Sequence, residues 1–539
     1  MIFEAFRKFR RETPDAPAFL VSSGDRYVPI TWRQFTDDVA AIAWAIGRHV
    51  PGSKIGIVGE NSYQWISMHA ACLLSGACAV PIDVNLTADE ICERLGFVGA
   101  KGLAYSSLYG EKVSAVARQM PDVLCVGFGS YDADGLMEDG YSGGAAALWD
   151  GDGPARTEAD GSPKVATIVF TSGTTSVPRG AELTLDAIES FSAAGAKVLP
   201  MSREERSLML LPLHHIFGIA ATYLMLTSGV ALGVCPDFRR IYDAVNRFRA
   251  DFAFLVPALA DILAAKCEQH GVKGLKWVLV GGATISPRTS SRLAALGIRV
   301  LTGYGLTETS ALFSLAPIGE AQRGGSAGKV AQLEGVETRV SESGELMVRG
   351  PNVMHGYYRA PEETAKVLSP DGWFSTGDLG RIDSDGYVWI VGRAKRTIVL
   401  SSGKKIAPEE LEGKLLQHSG ISEVVVTGES ESRTVTAEIF AEIPEPEVRG
   451  IVAAINRELP LYKRIKRVVV RDAPFPRTSS GKIRLTTAPA QRPRRRDGAR
   501  MLPHVAVPRG WWLALALLGV VALALVVIAV CFIVYLGTS

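Results

Sequence analysis

The chain has 539 residues, of which 47% are hydrophobic and 21% are charged. That balance is typical of globular proteins and excludes a disordered or fibrous chain, and the length allows several domains. The 58 Lys and Arg residues nearly balance the 56 Asp and Glu residues, for a net charge of +2. We therefore expect no nucleic-acid partner, because the chain lacks the overall basic character of such proteins.

Residues 1–125 alternate helical and strand-like stretches. Helical spacing runs from Trp32 to Gly47 and from Ser62 to Leu74, and a short buried strand is predicted at 54–59. This alternation predicts crossover units around a parallel sheet. Residues 127–161 are rich in glycine and acidic residues and predict a surface connection. Strand and helix signals resume at Val165 and continue to about Val391.

A smaller unit follows, with strands predicted at 423–427, 434–443 and 466–471. We therefore predict an α/β protein whose large N-terminal domain of layered α/β subdomains spans 1–392 and whose small α+β domain spans 393–487. Residues 488–509 are rich in Pro and Arg and predict an extended tether.

The C-terminal region predicts a membrane anchor. Residues 511–536 contain no charge, and as a helix these 26 residues would exceed the roughly 30 Å of a hydrocarbon core. Aromatic residues at both ends are typical of the membrane interface. Six Arg and one Asp lie in 485–539, and we expect the Arg cluster to stay cytoplasmic. The prediction is one transmembrane helix at 510–536, a single-pass C-terminal anchor with cytoplasmic catalytic domains; a buried core helix is the alternative interpretation.

The stretch TSGTTSVPRG at 171–180 follows a predicted buried strand. Small residues let backbone N–H groups approach a polyanion, and the loop's hydroxyls can donate to phosphate oxygens. The spacing is not that of a P-loop, because Pro178 stands at the second glycine position. By itself the stretch also fits a Ser/Thr-rich turn.

This loop resembles the signature loop of the adenylate-forming acyl-CoA synthetases, with Ser176 in place of Gly and Arg179 in place of Lys. Four further elements of that family follow in the same order: YGLTE at 304–308, STGD at 375–378, GRAK at 392–395 with PEELE at 408–412, and PRTSSGKIR at 476–484. Each element alone would fit a turn, a helix cap or a surface loop.

The resemblance implies a fold, a reaction and a set of site residues. The small domain would be mobile, and ATP, Mg²⁺ and coenzyme A would be used. Tyr304 would stack on adenine, Asp378 would accept the ribose hydroxyls, and Lys395 would be the hinge. The residues implied to contact nucleotide or coenzyme A are Thr171, Ser172, Gly173, Thr174, Thr175, Arg179, Gly180, Tyr304, Asp378, Arg393, Lys395 and Gly403.

The implied catalytic residues are Lys482, Thr307, Glu308 and His215. A carboxylate must attack the α-phosphate of ATP although both reactants are anions, so cations have to be placed where charge develops. Lys482 is the candidate for bridging the two reactants, Glu308 for binding Mg²⁺, and Thr307 for the α-phosphate. His215 would lie near the acyl carboxylate, although a buried core histidine is the alternative.

The segments implied to line the acyl pocket are apolar. They include Ile216, Phe217, Ile219, Ala220, Leu224, Trp277, Val278, Leu312 and Phe313. With the predicted anchor, this favours a medium- or long-chain fatty acid, and an aryl acid fits the same composition. We expect a small-molecule carboxylic acid as substrate. The alternatives are an acyl-AMP ligase that loads the phosphopantetheine of a carrier protein, a catalytically weak membrane-bound acyl- or nucleotide-binding relative, and a transporter, which a single span cannot build alone.

Overall fold

The computed structural model divides into units Met1–Arg484 and Leu485–Ser539. It describes residues 1–23, 26–129, 146–149, 153–171, 179–199, 201–235, 237, 240–317, 323–330, 335–400, 404–428, 434–476 and 483. All of these residues belong to the first unit.

The N-terminal part confirms the predicted helices and strand between Trp32 and Leu74. Its helices begin at side-chain caps, for example Thr31 with Gln34 and Ser62 with the backbone of Trp65, because a hydroxyl satisfies an N–H that has no partner in the first turn. In chain order the elements are α1 (Ile2–Glu12), β1 (Pro17–Ser23), β2 (Arg26–Thr31), α2 (Trp32–His49), β3 (Lys54–Val58), α3 (Tyr63–Ser75), β4 (Cys78–Ile82), α4 (Ala88–Val98), β5 (Gly102–Ser106), α5 (Gly110–Gln119) and β6 (Leu124–Phe128).

The middle of the chain continues the alternation and then turns to antiparallel strands. The elements are β7 (Val165–Thr171), β8 (Arg179–Thr184), α6 (Leu185–Val198), β9 (Arg206–Met209), α7 (Ile216–Thr227), β10 (Ala231–Val234), α8 (Ile241–Phe248), β11 (Phe252–Leu255), α9 (Pro257–His270), β12 (Trp277–Val280), α10 (Pro287–Ala295), β13 (Arg299–Leu306), β14 (Ala311–Leu315), β15 (Lys329–Val330), β16 (Glu337–Val340), β17 (Glu345–Arg349), β18 (Gly356–Tyr357), α11 (Pro361–Ala365), β19 (Phe374–Ile382) and β20 (Val388–Arg393).

The last part has its own hydrophobic core, built on the apolar faces of its helices and strands. Its elements are β21 (Ile398–Val399), β22 (Lys405–Ile406), α12 (Pro408–Leu415), β23 (Ile421–Gly428), β24 (Val435–Ala441), α13 (Glu445–Glu458) and β25 (Arg467–Arg471). The three predicted strands of this region are confirmed, with ends shifted by at most two residues.

Two sheets position the site. The seven-stranded sheet has the order β18-β8-β7-β4-β3-β5-β6, and the nine-stranded sheet has the order β15-β14-β13-β12-β11-β9-β10-β1-β2. Strands β3 to β6 pair in parallel, as do β9 to β13, which confirms the predicted parallel architecture. One continuous core cluster contains side chains from both sheets and from the helices between them. A four-stranded sheet, β16-β17-β19-β20, completes the region before the small domain.

The described helices include none that is long and apolar enough to cross a membrane. The apolar run at 511–536 and the tether before it lie outside the described residues, so the anchor stays a prediction.

Candidate active site

The first polar cluster joins Asp378, Arg393 and Tyr304. Asp378 on β19 pairs directly with Arg393 on β20, and the Arg393 Nε lies 2.7 Å from Asp378 Oδ1. The hydroxyl of Tyr304, at the end of β13, donates to Asp378 Oδ2 at 2.5 Å. Asp378 is 3% exposed, so both of its oxygens are bonded in a dry environment, where such bonds are strong. Burial, and next the Asp378 carboxylate, raises the pKa of Tyr304 well above its usual value.

A tight backbone approach holds Tyr304 in place. At the neighbouring Gly305, a Cβ atom would lie 1.7 Å from the carbonyl oxygen of Ala311, so only glycine fits there. Phe313 packs edge-on against the Tyr304 ring, with centroids 5.0 Å apart. The hydroxyl therefore points to Asp378, and the ring direction is fixed from two sides.

A short 3₁₀ turn, Thr307–Thr309, presents Thr307 and Glu308 immediately after β13. The buried Thr309 hydroxyl accepts from the Leu306 backbone N–H at 2.8 Å. Ser310 and Ala311 have φ of 51° and 86°, a left-handed conformation that is strained for residues with a Cβ. The two residues that follow the turn therefore store backbone strain next to Thr307 and Glu308.

Glu308 is bound by the segment that leads into β18. The hydroxyl of Tyr357 donates to Glu308 Oε1 at 2.8 Å, and the Met354 backbone N–H donates to the Glu308 carbonyl at 2.8 Å. A partly exposed carboxylate of this kind suits a hard cation, which prefers oxygen ligands. No group of three or more metal-binding side chains occurs among the described residues.

The second cationic group at the site is Arg179. Its guanidinium is 2.5 Å from Glu363 Oε2, and it lies over the Tyr357 ring at 5.6 Å from the centroid. Glu363 also pairs with Lys366. The pKa of Glu363 is lowered by the hydrogen bond from Lys366 first, and then by the charges of Arg179, Lys366 and Lys395.

The pairing of β7 with β8 explains where the Ser/Thr-rich loop at 171–180 begins and ends. Thr171 on β7 is the cross-strand partner of Arg179 on β8, and the Thr171 hydroxyl donates to the Arg179 carbonyl at 3.4 Å. Gly180 is buried in β8, where a Cβ would lie 2.6 Å from Ile168 Cγ2, so packing requires glycine at this position. Residues 172–178, and with them Ser172, Gly173, Thr174 and Thr175, lie outside the described residues.

The predicted hinge begins where β20 ends. Lys395 is exposed in the 3₁₀ turn Ala394–Arg396. The next residue, Arg396, is held by Glu409 at 2.8 Å and by Glu412 at 2.6 Å. Gly403 and Lys482, the two residues assigned to the moving domain's approach to the site, lie outside the described residues.

The residues predicted to lie near the acyl group, which we call the acyl side, centre on the segment before α7. His215 is the N-cap residue of that helix, and its ring is 4.2 Å from that of His214. The His214 Nε2 lies 3.6 Å from Asp83 Oδ2. Burial lowers the pKa of His214, and Asp83 partly opposes this, so both the charge and the hydration of this imidazole are suppressed.

A buried amide clamps this segment. The Asn61 side chain donates to the Leu211 carbonyl at 2.8 Å and accepts from the Leu213 N–H at 3.1 Å. Asn61 follows β3 of the seven-stranded sheet, whereas Leu211 follows β9 of the nine-stranded sheet. One side chain therefore fixes the histidine segment across the two sheets.

The residues predicted to line the acyl pocket divide between two faces. Eight of the nine are at most 5% exposed, and only Phe217 is half-buried. Trp277 lies in the core between the sheets, while Val278 lies in a second core cluster on the other side, because successive strand residues face opposite ways. In the same way, Phe313 packs against Tyr304, whereas its neighbour Leu312 faces Gly281, as Phe217 does. A Cβ atom added at Gly281 would lie 3.4 Å from Leu312 and 3.1 Å from Phe217.

The structure adds residues that the sequence motifs did not indicate. Tyr357, Glu363, Asn61 and Asp83 contact site residues but lie outside the five recognised elements. Their partners are distant in the chain, so no local pattern could have identified them.

Comparison with known proteins shows the family of the chain. Residues 6–358 match the model of the AMP-binding enzyme family, and residues 395–491 match that of the AMP-binding enzyme C-terminal domain. The chain is 29% identical to an indoleacetate–CoA ligase of Aromatoleum aromaticum, over 80% of this chain and 87% of that protein. It is 28% identical to the long-chain-fatty-acid–CoA ligase FadD13 of Mycobacterium tuberculosis, over 80% and 86%. ATP-bound MatB from Rhodopseudomonas palustris superposes with a TM-score of 0.74 at 25% identity, covering 90% of this chain and 97% of that chain.

Proposed function

The chain belongs to the AMP-binding enzyme family, and from that premise we propose that it activates an apolar carboxylic acid, a medium- or long-chain fatty acid, for transfer to coenzyme A. At the level of reaction class it is an AMP-forming acid–thiol ligase that uses ATP, Mg²⁺ and coenzyme A. The identity of the acid and the role of each residue are our proposals.

The reaction has two steps. An oxygen of the substrate carboxylate attacks the α-phosphorus of ATP, the bond to the β-phosphate breaks, and pyrophosphate leaves. The thiolate of coenzyme A then attacks the acyl carbon, and the bond to AMP breaks. Both steps bring anions together, so the protein must supply positive charge and exclude water from the mixed anhydride.

The observation that carries the proposal is the joining of distant parts of the chain by hydrogen bonds at the end of β13. Tyr304 and Glu308 flank the end of one strand, and each is bonded to a residue far along the chain, Asp378 and Tyr357 respectively. This arrangement supports a role for Asp378 in binding the ribose. Each carboxylate oxygen has a second lone pair to accept a ribose hydroxyl, while Arg393 pairs with the carboxylate at 2.7 Å.

Arg179 is proposed to bind the terminal phosphates, since its fork of N–H donors matches phosphate geometry. Thr171 and the loop hydroxyls at 172, 174 and 175 would add donors, with Gly173 and Gly180 allowing close approach. Thr307 would contact the α-phosphate and His215 the acyl carboxylate.

Glu308 would hold Mg²⁺, which supplies charge neutralisation at the phosphates when bound. Lys395 would act as the hinge, Lys482 would bridge the two reactants in the first step, and Gly403 would line the pantetheine path. The last two roles rest on the sequence motifs alone.

A fatty acid is supported by the uncharged, apolar side chains at the acyl side and by the apolar run at 511–536. A second candidate, an aryl acid, is favoured by one observation. The side chains implied to line the pocket are nearly all packed into the core, which suits a short planar acid better than a long chain.

The test is ATP–pyrophosphate exchange with a panel of fatty acids from C6 to C18 and of aryl acids. Exchange with the fatty acids and not with the aryl acids supports the first candidate, and the reverse supports the second. If no acid supports exchange, the proposed acid activation is wrong, and the protein is better explained as a catalytically weak relative. Coenzyme A and a phosphopantetheine carrier protein, offered to the pre-formed acyl-adenylate, would separate a CoA ligase from a carrier-loading enzyme.

We also propose that residues 511–536 anchor the enzyme in a membrane, as their length and lack of charge predict. Protease digestion of intact vesicles should degrade the catalytic domains from the cytoplasmic face. Protection of those domains would contradict the proposed orientation.

A further inference from the structure

The segment around Tyr357 links the two large sheets at the site. The His355 and Tyr358 backbone N–H groups donate to Glu182 and Gly180 of β8, each at 2.8 Å. The Met354 N–H donates to the Glu308 carbonyl beside the nine-stranded sheet, also at 2.8 Å. The chain from 354 to 358 is therefore bonded to both sheets within five residues.

Tyr357 is held from three directions. Its backbone pairs with Ala181 of β8, and its N–H donates to the Thr364 hydroxyl at 2.9 Å. The guanidinium of Arg179 lies over its ring. Tyr357 is 7% exposed, so the ring has little room to move, and its hydroxyl meets Glu308 Oε1 at 2.8 Å in a fixed direction.

We propose that Tyr357 is a positioning residue for the adenylation step: it orients the Glu308 carboxylate by donating to Oε1, and Oε2 would remain to hold Mg²⁺. A buried hydroxyl that donates to a carboxylate both fixes its rotamer and satisfies one oxygen. Because the same ring contacts Arg179, the tyrosine also sets the spacing between the carboxylate and the phosphate-binding cation. This inference rests on the proposed role of Glu308 in binding Mg²⁺.

The neighbouring tyrosine is a matched control. The Tyr358 hydroxyl donates to the Val98 carbonyl at 3.1 Å, and cations lie over its ring as well, Lys54 at 5.1 Å. Tyr358→Phe therefore removes a comparable hydroxyl without touching Glu308.

The experiment is calorimetric titration of the full chain with ATP in excess MgCl₂ and in EDTA. The readout is the factor by which Mg²⁺ tightens nucleotide binding, which does not depend on turnover. Tyr357→Phe should reduce this factor about tenfold, the size expected for a lost hydrogen bond to a charged group, and Tyr358→Phe should leave it unchanged. In a Glu308→Gln background, Tyr357→Phe should have no further effect, since the tyrosine acts through Glu308.

Three outcomes would count against the proposal. If Glu308→Gln abolishes the Mg²⁺ factor while Tyr357→Phe retains it, the positioning role is wrong and the proposed function stands. If Glu308→Gln retains the factor, the metal role of Glu308 fails, and the inference fails with it. Tyr357→Phe could also act by lowering the melting temperature, and 3-fluorotyrosine at position 357 tests this because it keeps the hydroxyl and the packing. We expect 3-fluorotyrosine to restore the factor by which Mg²⁺ tightens nucleotide binding. If it does not, the inference is wrong.

Discussion

The proposed nucleotide side and the proposed acyl side of the site are built by different interactions. On this nucleotide side, charged groups meet in pairs: Asp378 and Arg393 join two neighbouring strands, and Arg179 joins β8 to Glu363 of α11. On the proposed acyl side, burial lowers the pKa of His214, and a single neutral amide, Asn61, fixes the backbone. A site that handles polyphosphate needs ionised groups held in place, whereas a site for an apolar acid needs a dry, uncharged surface.

The strongest test of the nucleotide side is Asp378→Asn. An amide cannot accept from both Tyr304 and Arg393 as a carboxylate does, so two hydrogen bonds of about 1.5–3 kcal/mol each are weakened. We expect kcat/KM for ATP in pyrophosphate exchange to fall roughly 1000-fold. Asp385→Asn, which removes an exposed carboxylate paired with Arg323, is the control and should change little. An Asp378→Asn enzyme with normal kinetics would contradict the ribose assignment.

The second test concerns the neutral histidines behind the acyl side. The fully buried His69 on α3 bonds to Tyr223 on α7 at 2.8 Å, and burial lowers its pKa from 6.5 to about 3. Because the unfolded chain takes up a proton that the folded chain does not, stability is full above pH 6.5 and declines as the pH falls towards 3. Over the whole window the loss is on the order of 4 kcal/mol. We expect the free energy of unfolding by urea to fall less between pH 7 and pH 4 in His69→Gln than in the unmodified protein. An equal fall would show that His69 is not the titrating group.

The third test is Asn61→Ala, which frees the histidine segment. We expect a loss of about 2 kcal/mol in unfolding free energy, because a buried carbonyl and N–H lose their partner. KM for the acid should rise about tenfold while KM for ATP changes less, since the clamp acts on the acyl side. Asn456→Ala breaks the same kind of clamp on Ile465 in the small domain and should lower stability without changing KM for the acid. Equal rises in both KM values for Asn61→Ala would contradict the division between the two sides.

The smallest expected effect is that of Glu363→Gln. If Arg179 binds phosphate as proposed, Glu363 competes for it through their ion pair, so neutralising Glu363 should lower KM for ATP. The change should be less than about fivefold, because partly exposed ion pairs are worth up to about 1 kcal/mol. Glu362→Gln on the same helix α11 is the control. A rise in KM for ATP would mean that Glu363 holds Arg179 ready for the nucleotide instead of away from it.

Local signals predicted much of this protein. The alternation of helices and strands, the parallel sheets and the strands of the small domain follow from hydrophobic periodicity, which depends only on near neighbours in the chain. The motifs around Tyr304, Glu308 and Asp378 could be recognised because each is a short continuous stretch. The faces of the acyl segments could not be assigned in the same way: Trp277 and Val278 are adjacent and equally apolar, yet they belong to different cores.

Local patterns of residue type were enough to predict the fold class, the family and the continuous motifs. Three contacts could be found only after folding: Tyr357 with Glu308, Glu363 with Arg179, and Asn61 with the segment before α7. Each of these contacts joins residues 49 to 184 positions apart. Such contacts arise because two sheets pack against a shared core and bring together the ends of strands that are far apart in the chain.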